Sequence, residues 1–263
     1  MSAADFPYFT APPVALAHRG GWLAGSDIVE NTMLAFAAAV DLGYAYVETD
    51  VHATSDGVLV AFHDASLDRV TDGHGILAEQ PWSVVGRARV GGREPIPTLA
   101  EILTTWPQLR VNIDIKSAGA IGPLWECIRA HAAYDRVCVG SFSHRRLAAF
   151  RALAQGRVAT AATPREVGRL RFLRRPRPDR LTTVAQVLQI PETITARGRT
   201  LRLVTPALLD RAHAAGMQVH VWTVNDETDM RRLLDSGVDG IVTDRTDVLA
   251  AVLAERGAWP PAR

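Results

Sequence analysis

The sequence predicts an α/β protein that folds as a single (β/α)8 barrel, a TIM barrel, over residues 1–263. Short β-like runs alternate with longer helical patterns about eight times, and such repeats form a parallel sheet covered by helices. The length of 263 residues is close to the roughly 250 residues of many such barrels. An open doubly wound sheet is the alternative fold, but it needs a glycine-rich fingerprint after the first strand. Residues 18–21, with the sequence HRGG, are not that fingerprint.

The amino-terminal half carries four candidate strands and three helical patterns. An Asp-Gly pair at 56–57 predicts a hairpin turn before the third strand. Thr98 and Glu101 form the capping-box pattern at the start of the second helix. Residues 65–97 are rich in glycine and proline and are expected to be irregular. The candidate strands cover 14–17, 45–51, 58–64 and 110–116, and the helical patterns cover 31–43, 98–106 and about 121–132.

The carboxyl-terminal half repeats this alternation around one ambiguous region at 176–200. The segment 181–191 within it could contain a strand or a helix. The stretch 163–180 holds seven arginines, and a solvated helix and loop is the preferred interpretation over a patch for an anionic membrane or acidic partner. The candidate strands cover 136–142, 157–162, 217–224 and 238–244, and the helical patterns cover 143–154, 205–216, 227–237 and 246–255.

Composition excludes several classes of protein. Hydrophobic residues make up 48% and charged residues 22%, the balance of a folded chain. A formal net charge of +1 gives no bulk attraction to nucleic acid. Two cysteines, Cys127 and Cys138, are too few for a disulfide framework. No stretch approaches about 20 apolar residues, so we expect no stable membrane insertion. The amino terminus lacks a signal-peptide pattern, so we expect a cytoplasmic location. The oligomeric state is left open.

Charged residues lie at the ends of two candidate strands, where barrel enzymes build their sites. Glu48 and Asp50 are two residues apart, so both carboxylates share one strand face. Asp114 and Lys116 share a face of another strand in the same way. Charges that face a packed barrel are costly unless they are paired or bind a metal. Three carboxylates suit a hard divalent cation such as Mg²⁺ or Ca²⁺ better than Zn²⁺.

Two histidines and two cations lie near the same strand ends. His18 and His63 can serve as acid and base, although each alone is more often a structural histidine. Arg19 and Lys116 add the positive charge that suits a phosphate. A divalent cation, two histidines and two basic side chains together indicate cleavage of a phosphoryl ester.

Short motifs in a fixed order give the chain a family resemblance. It resembles the glycerophosphodiester phosphodiesterase family, whose fold is a (β/α)8 barrel with a small insertion after the second strand. The insertion would cover roughly residues 51–97 here. The matching segments are AHRG (17–20), ENT (30–32), VETDV (47–51), FHD (62–64), LDRVTDGHG (67–75), IPTLAEIL (96–103), NIDIK (112–116), VHVWTVN (219–225) and GVDGIVTD (237–244).

The resemblance implies roles for individual residues. It assigns acid–base catalysis to His18 and His63, metal binding to Glu48, Asp50 and Asp114, and substrate or phosphate binding to Arg19, Lys116, Glu30 and Trp222. Many members have Glu where this chain has Asp114, a side chain one methylene shorter. The implied cofactor is one divalent cation, Mg²⁺ or Ca²⁺. The implied partner is a small-molecule glycerophosphodiester.

The expected reaction is metal-dependent hydrolysis of a glycerophosphodiester to glycerol 3-phosphate and an alcohol. Phospholipase-D-like cleavage of lysophospholipids is an alternative within the same superfamily, and it needs an exposed apolar rim. A non-catalytic barrel that binds a phosphorylated ligand is an alternative from a different class. A metal-dependent amidohydrolase is disfavoured, because the first strand ends in HRG rather than an HxH ligand pair. The sequence leaves open the headgroup preference, the choice of metal and the nucleophile, which is water or a substrate hydroxyl.

Overall fold

Eight parallel strands close into a barrel in the computed structural model, which describes residues 1–22, 29–172, 184–196 and 198–260. Along the barrel wall, neighbouring strands begin in order at Ala159, Val137, Arg110, Tyr46, Val14, Gly240, Gln218 and Val187. A parallel bridge between Ala161 and Val187 joins the two ends of this row. The (β/α)8 prediction is therefore confirmed.

The strands are β1 (Val14–Trp22), β2 (Tyr46–Ala53), β3 (Leu59–Ala61), β4 (Arg89–Val90), β5 (Glu94–Pro95), β6 (Arg110–Ile115), β7 (Val137–Gly140), β8 (Ala159–Thr160), β9 (Val187–Pro191), β10 (Thr193–Ala196), β11 (Arg199–Arg202), β12 (Gln218–Trp222) and β13 (Gly240–Arg245). The α-helices are α1 (Met33–Asp41), α2 (Trp82–Val85), α3 (Leu99–Thr105), α4 (Ile121–Ala130), α5 (His144–Ala154), α6 (Pro164–Phe172), α7 (Pro206–Ala214), α8 (Glu227–Asp235) and α9 (Thr246–Glu255). Short 3-10 helices cover Ala3–Asp5, Leu77–Glu79, Ala118–Ala120 and Ala133–Arg136.

Side-chain caps define where many helices begin. The Thr98 hydroxyl accepts from the Glu101 backbone, and the Glu101 carboxylate accepts from the Thr98 backbone, which is the predicted capping box. Each such cap pairs a backbone N–H that the helix itself leaves unsatisfied. The same kind of cap starts α1, α5, α7 and α8 at Thr32, Ser143, Thr205 and Asp226.

Among the residues that the structure describes, three apolar clusters hold the molecule together. The largest contains apolar residues of the barrel strands, such as Val47 and Ile113, and of the helices, such as Leu124 and Leu147. A second fills the lower barrel interior, where inward-facing Leu16 meets residues of the amino-terminal segment. Side chains alternate along a strand, so Leu16 and His18 share the inward face of β1. Leu16 belongs to the apolar lower interior, and His18 belongs to the polar site above it.

The insertion between β2 and α3 is more ordered than its composition indicated. Its strand β3 pairs antiparallel with β2, and β4 pairs with β5 in a small hairpin. It has its own apolar cluster, which includes Phe62, Leu67, Leu77, Val85 and Ile96. Phe62 is a member of this cluster, so the cluster supports the FHD segment at residues 62–64.

Several element boundaries differ from the sequence prediction. The strand predicted at 157–162 is only Ala159–Thr160, and the ambiguous segment 181–191 contains the strand Val187–Pro191. Residues 181–183 lie outside the described residues, as do 173–180 of the arginine-rich stretch, whose first part forms α6. Among the described helices, none combines the length and apolar composition needed to cross a membrane.

Candidate active site

The end of β1 brings His18 into contact with both neighbouring strands. β1 lies between β2 and β13, so His18 reaches a carboxylate on each side. Its Nδ1 is 2.6 Å from Asp244 Oδ1, and its Nε2 is 3.8 Å from Glu48 Oε2. Burial lowers the pKa of His18, but the hydrogen bond to Asp244 and the charge of Glu48 outweigh it and leave that pKa raised. The ring is thus held by a carboxylate at Nδ1 and directs Nε2 into the site.

Asp244 is itself fixed by the loop after β12. Asn225 Nδ2 donates to Asp244 Oδ2 at 2.8 Å, and Asn225 Oδ1 accepts from the Asp244 backbone at 2.9 Å. Burial opposes ionisation of Asp244, but the bonds from His18 and Asn225 hold its pKa below the usual value. Asn225, Asp244 and His18 therefore form a connected chain that orients the imidazole.

Glu48 is the most perturbed carboxyl group of the site. Its side chain is buried, and its Oε2 accepts from the backbone N–H of Arg19 at 3.2 Å. Burial and the neighbouring charge of Asp50 raise the pKa of Glu48 to about 7. Burial is thus the main reason why this carboxyl group resists ionisation, and the charge of Asp50 adds to it.

Asp50 and Asp114 lie side by side because β2 and β6 are paired in register at these positions. Lys116 Nζ lies 2.8 Å from Asp50 Oδ1 and 2.8 Å from Asp114 Oδ2. Burial lowers the pKa of Lys116, but the two carboxylates outweigh burial and raise it. Asn31 Nδ2 also donates to Asp50, at 3.3 Å.

The three carboxylates provide a donor set that fits a hard divalent cation. Their oxygens are the ligand type that Mg²⁺ and Ca²⁺ prefer. Asp114 Oδ1 is buried without a hydrogen-bond partner among the described residues. In the present arrangement Lys116 lies between Asp50 and Asp114. In the described part of the chain, no group of three or more His, Cys, Asp or Glu side chains is arranged as a metal site.

Arg19 lies beside these carboxylates at a sharp turn of the backbone. Its φ is +52°, and the next residue, Gly20, has a φ of +86°. Arg19 Nη1 donates to Glu30 Oε1 at 3.0 Å, and Arg19 Nε forms an ion pair with Asp50 Oδ2 at 3.1 Å without hydrogen-bond alignment. The turn thus places a guanidinium next to the carboxylates.

His63 comes from the insertion rather than from the barrel wall. Its Nδ1 is 2.5 Å from Asp64 Oδ1, and its backbone carbonyl contacts Nε2 of the buried His52 at 3.2 Å. Arg69 donates to Asp64, and this hydrogen bond lowers the pKa of Asp64 to about 2. Arg69 also donates to Glu30 at 2.6 Å, which links the insertion to Arg19.

Trp222 lies on one side of the mouth, next to an exposed phenylalanine. The Trp222 and Phe142 rings meet edge to face with centroids 5.7 Å apart. Lys116 Nζ is 5.7 Å from the centroid of the Phe142 ring. Phe142 is 60% exposed, so the pair forms an apolar wall above the charged groups.

The structure therefore brings the nine residues named from the sequence into one connected cluster at the mouth of the barrel. The carboxylates, Arg19, Glu30 and Lys116 touch directly. His63 joins through Asp64 and Arg69, and Trp222 joins through Phe142. The roles of these residues remain predictions.

Five further polar or charged residues of the cluster were not predicted from the sequence. Asp244 follows the same strand-end rule that selected Glu48 and Asp50, and applying it to the last strand would have found it. Asp64 follows His63 directly. The others lie in loops, where spacing carries no signal. The five are Asn31, Asp64, Arg69, Asn225 and Asp244.

Known proteins resemble this chain over most of its length. The family model described as "Glycerophosphoryl diester phosphodiesterase family" matches residues 18–248. A probable glycerophosphodiester phosphodiesterase 2 of Mycobacterium tuberculosis is 40% identical over 255 residues, which cover 94% of this chain and 92% of that protein.

Solved structures show the same fold. A putative glycerophosphoryl diester phosphodiesterase of Silicibacter pomeroyi superimposes with a TM-score of 0.77 at 23% identity, covering 96% of this chain and 98% of that one. An Oleispira antarctica phosphodiesterase in complex with its product sn-glycerol-3-phosphate gives a TM-score of 0.76 at 24% identity, covering 97% and 100%. Together with the family match, these findings confirm the resemblance and the prediction of an enzyme. The chain belongs to the glycerophosphoryl diester phosphodiesterase family.

Proposed function

We propose that this chain hydrolyses small glycerophosphodiesters to glycerol 3-phosphate and an alcohol, in a reaction that depends on one divalent cation. The observation that carries the proposal is the cluster itself. Two carboxylate-held histidines, two cations, the buried carboxylates of Glu48 and Asp50 and the partly buried Asp114 meet at the carboxyl ends of the barrel strands. Family membership and the product found in the Oleispira antarctica structure support the same reaction.

The two histidines are held in the same way, which suits paired proton transfer. Asp244 binds Nδ1 of His18, and Asp64 binds Nδ1 of His63. Each Nε2 is then the position that exchanges a proton with substrate. One histidine takes the proton of the nucleophile as the new P–O bond forms. The other protonates the leaving alkoxide as the old P–O bond breaks. The nucleophile is water or the neighbouring glycerol hydroxyl. Attack by the hydroxyl gives a cyclic phosphate, and a water molecule then opens this ring to glycerol 3-phosphate.

The charged groups have separate tasks in this mechanism. Arg19 and Lys116 face the phosphate oxygens and compensate the charge that develops there. Glu48, Asp50 and Asp114 would hold the divalent cation, which supplies Lewis-acid polarisation of the phosphodiester when bound. Glu30 keeps the Arg19 guanidinium in place through the 3.0 Å bond. Trp222 provides an apolar wall for the glycerol or the leaving alcohol.

Removal of either histidine tests the acid–base assignment. We expect His18→Ala and His63→Ala each to lower kcat for glycerophosphocholine by at least about 100-fold, because each variant lacks one proton-transfer group. Release of glycerol 3-phosphate measures the rate. His74→Ala is the matched control, since the His74 side chain is 84% exposed in the insertion and pairs with Asp68 outside the cluster. Turnover close to wild type in either variant would show that its histidine does no acid–base work.

Removal of the metal tests whether hydrolysis depends on a divalent cation. We expect EDTA-treated protein to lose activity and to regain it with Mg²⁺, Ca²⁺ or Mn²⁺. Asp114→Asn should weaken metal binding measured by calorimetry, since Asp114 Oδ1 has no hydrogen-bond partner among the described residues and is free to bind a cation. Asp135→Asn serves as the control, because Asp135 lies in the 3-10 helix before β7. Full activity in EDTA would refute metal dependence while leaving the hydrolysis itself intact.

Cleavage of lysophospholipids is a second candidate, and one observation favours it. The exposed Phe142 ring against Trp222 is an apolar rim of the kind that an acyl chain needs. The same assay with lysophosphatidylcholine separates the two substrates. Faster release of choline from the lysolipid than of glycerol 3-phosphate from glycerophosphocholine would favour this candidate. Tight phosphate binding with no turnover of either substrate would instead indicate a non-catalytic binding barrel.

A further inference from the structure

Arg69 binds two carboxylates that belong to different parts of the molecule. Its guanidinium donates to both oxygens of Asp64, within the insertion, and to both oxygens of Glu30, in the loop that precedes α1. The Nη2–Oε1 distance to Glu30 is 2.6 Å. A planar guanidinium can make such a double bridge, whereas an ammonium is a single point charge.

Each carboxylate that Arg69 binds holds a residue of the proposed machinery. Asp64 holds Nδ1 of His63 at 2.5 Å. Glu30 holds Nη1 of Arg19 at 3.0 Å, and Arg19 in turn lies against Asp50. Arg69 is thus the joint between a proton-transfer group carried by the insertion and a phosphate-binding group carried by the barrel.

The position of Arg69 argues against a role in packing alone. Its side chain is 49% exposed, whereas the apolar cluster of the insertion is formed by other residues. An exposed ion pair contributes little to stability, because water screens the two charges. The alignment of His63 against Arg19, by contrast, depends on how the insertion is held over the barrel mouth.

We propose that Arg69 is a positioning residue for the phosphodiesterase reaction, which fixes His63 relative to Arg19 by bridging Asp64 and Glu30. This inference rests on the proposed function, because His63 and Arg19 matter only if the site cleaves a phosphodiester. Arg69 itself does not touch the reacting atoms. It acts on kcat through the orientation of the imidazole, and the bond between Arg19 and Glu30 does not itself involve Arg69.

The test uses chemical rescue, which the exposure of Arg69 permits. We expect Arg69→Ala to lower kcat for glycerophosphocholine by about 10- to 100-fold with a smaller change in KM, because an orienting partner is lost but the substrate contacts remain. Guanidinium chloride, at concentrations well below those that unfold the protein, should restore part of kcat. Methylammonium chloride at equal ionic strength should restore less, because it cannot bridge two carboxylates. Arg87→Ala is the matched control, since Arg87 is an exposed arginine in the same insertion.

The outcomes separate this inference from the proposed function. An inactive wild-type enzyme refutes the proposed function and, with it, a role for Arg69 in that reaction. An active wild type with Arg69→Ala within about 3-fold of its kcat refutes the inference alone, because an orienting partner should count for more than that. A loss that guanidinium does not relieve also refutes it. If Arg69→Ala does not fold, Arg69→Lys decides. The inference then requires a reduced kcat at an unchanged Tm, and a kcat equal to wild type overturns it.

Discussion

Lys116 shows how much a single residue type can matter. It is the one lysine among 29 basic residues, and every other basic side chain of the sequence is arginine. Its Nζ lies 2.8 Å from both Asp50 and Asp114, and its side chain is only 18% exposed. A compact ammonium fits this narrow space between two strands. The wide planar fork of arginine would displace one of the carboxylates.

We therefore expect Lys116→Arg to lower kcat/KM by about 10- to 100-fold although the charge is conserved, because displacement by about 1 Å at a reacting centre has effects of this size. Steady-state kinetics with glycerophosphocholine measure the effect. The opposite exchange at an exposed position, Arg87→Lys, is the control and should leave kcat/KM unchanged. A near-silent Lys116→Arg would mean that the lysine reflects composition rather than function.

At the scale of single residues, the sequence predicts those site residues that recur at every second position along a strand. Glu48 with Asp50, and Asp114 with Lys116, are recognisable because period two places charges on one face. Asp64 and Arg69 have no such pattern. Arg69 reaches Glu30 only because the insertion folds back over the mouth, 39 residues away along the chain. No local rule predicts a contact of that separation.

At the scale of elements, the turn at the end of β1 decides where Arg19 lies. Gly20 has a φ of +86°, and a Cβ there would lie 2.7 Å from Cβ of Ala35 and 2.9 Å from its backbone carbon. The close approach of this turn to α1 leaves no room for a side chain. The backbone shape and the packing of α1 both depend on this glycine.

Gly20→Ala should therefore destabilise the protein by about 1–3 kcal/mol through strain and close contact. It should also lower kcat, because Arg19 moves with the turn. Chemical denaturation and the hydrolysis assay measure the two effects. Gly122→Ala in α4 is the control, since nothing lies within 4 Å of its added Cβ. That change should stabilise the helix by up to about 1 kcal/mol. Equal stability of Gly20→Ala and wild type would contradict the steric argument.

The elements that the sequence predicted well are long and periodic or carry clear caps. The capping box at Thr98 and the βα alternation after residue 205 are examples. The elements it missed are short. β4 and β5 have two residues each, and the β10–β11 hairpin follows β9 with a single residue between them. Such elements are formed by their neighbours rather than by their own propensity, so composition alone does not indicate them.

At the scale of the whole molecule, the barrel interior divides into a charged mouth and an apolar base. Phe6 and Tyr8 of the amino-terminal segment close the base. His220 is fully buried in the interior, where its Nε2 hydrogen-bonds Gln218 at 2.9 Å. Its Nδ1 has no hydrogen-bond partner among the described residues. Burial lowers the pKa of His220 from 6.5 to about 3, so the barrel accepts only the neutral ring.

This burial predicts a loss of stability in mild acid. The folded-state pKa lies below the unfolded value, so the unfolded chain takes up a proton first, and stability falls as the pH drops from about 6.5 towards 3. Between pH 7 and pH 5 the wild type should lose about 2 kcal/mol more than His220→Gln, whose side chain does not titrate. Denaturant unfolding at both pH values measures this difference. His74→Gln, at an 84% exposed side chain, should keep the wild-type pH dependence. If His220→Gln and wild type lose stability in parallel, the imidazole must be reachable by protons in the folded barrel, and the base of the interior is not sealed by Phe6 and Tyr8.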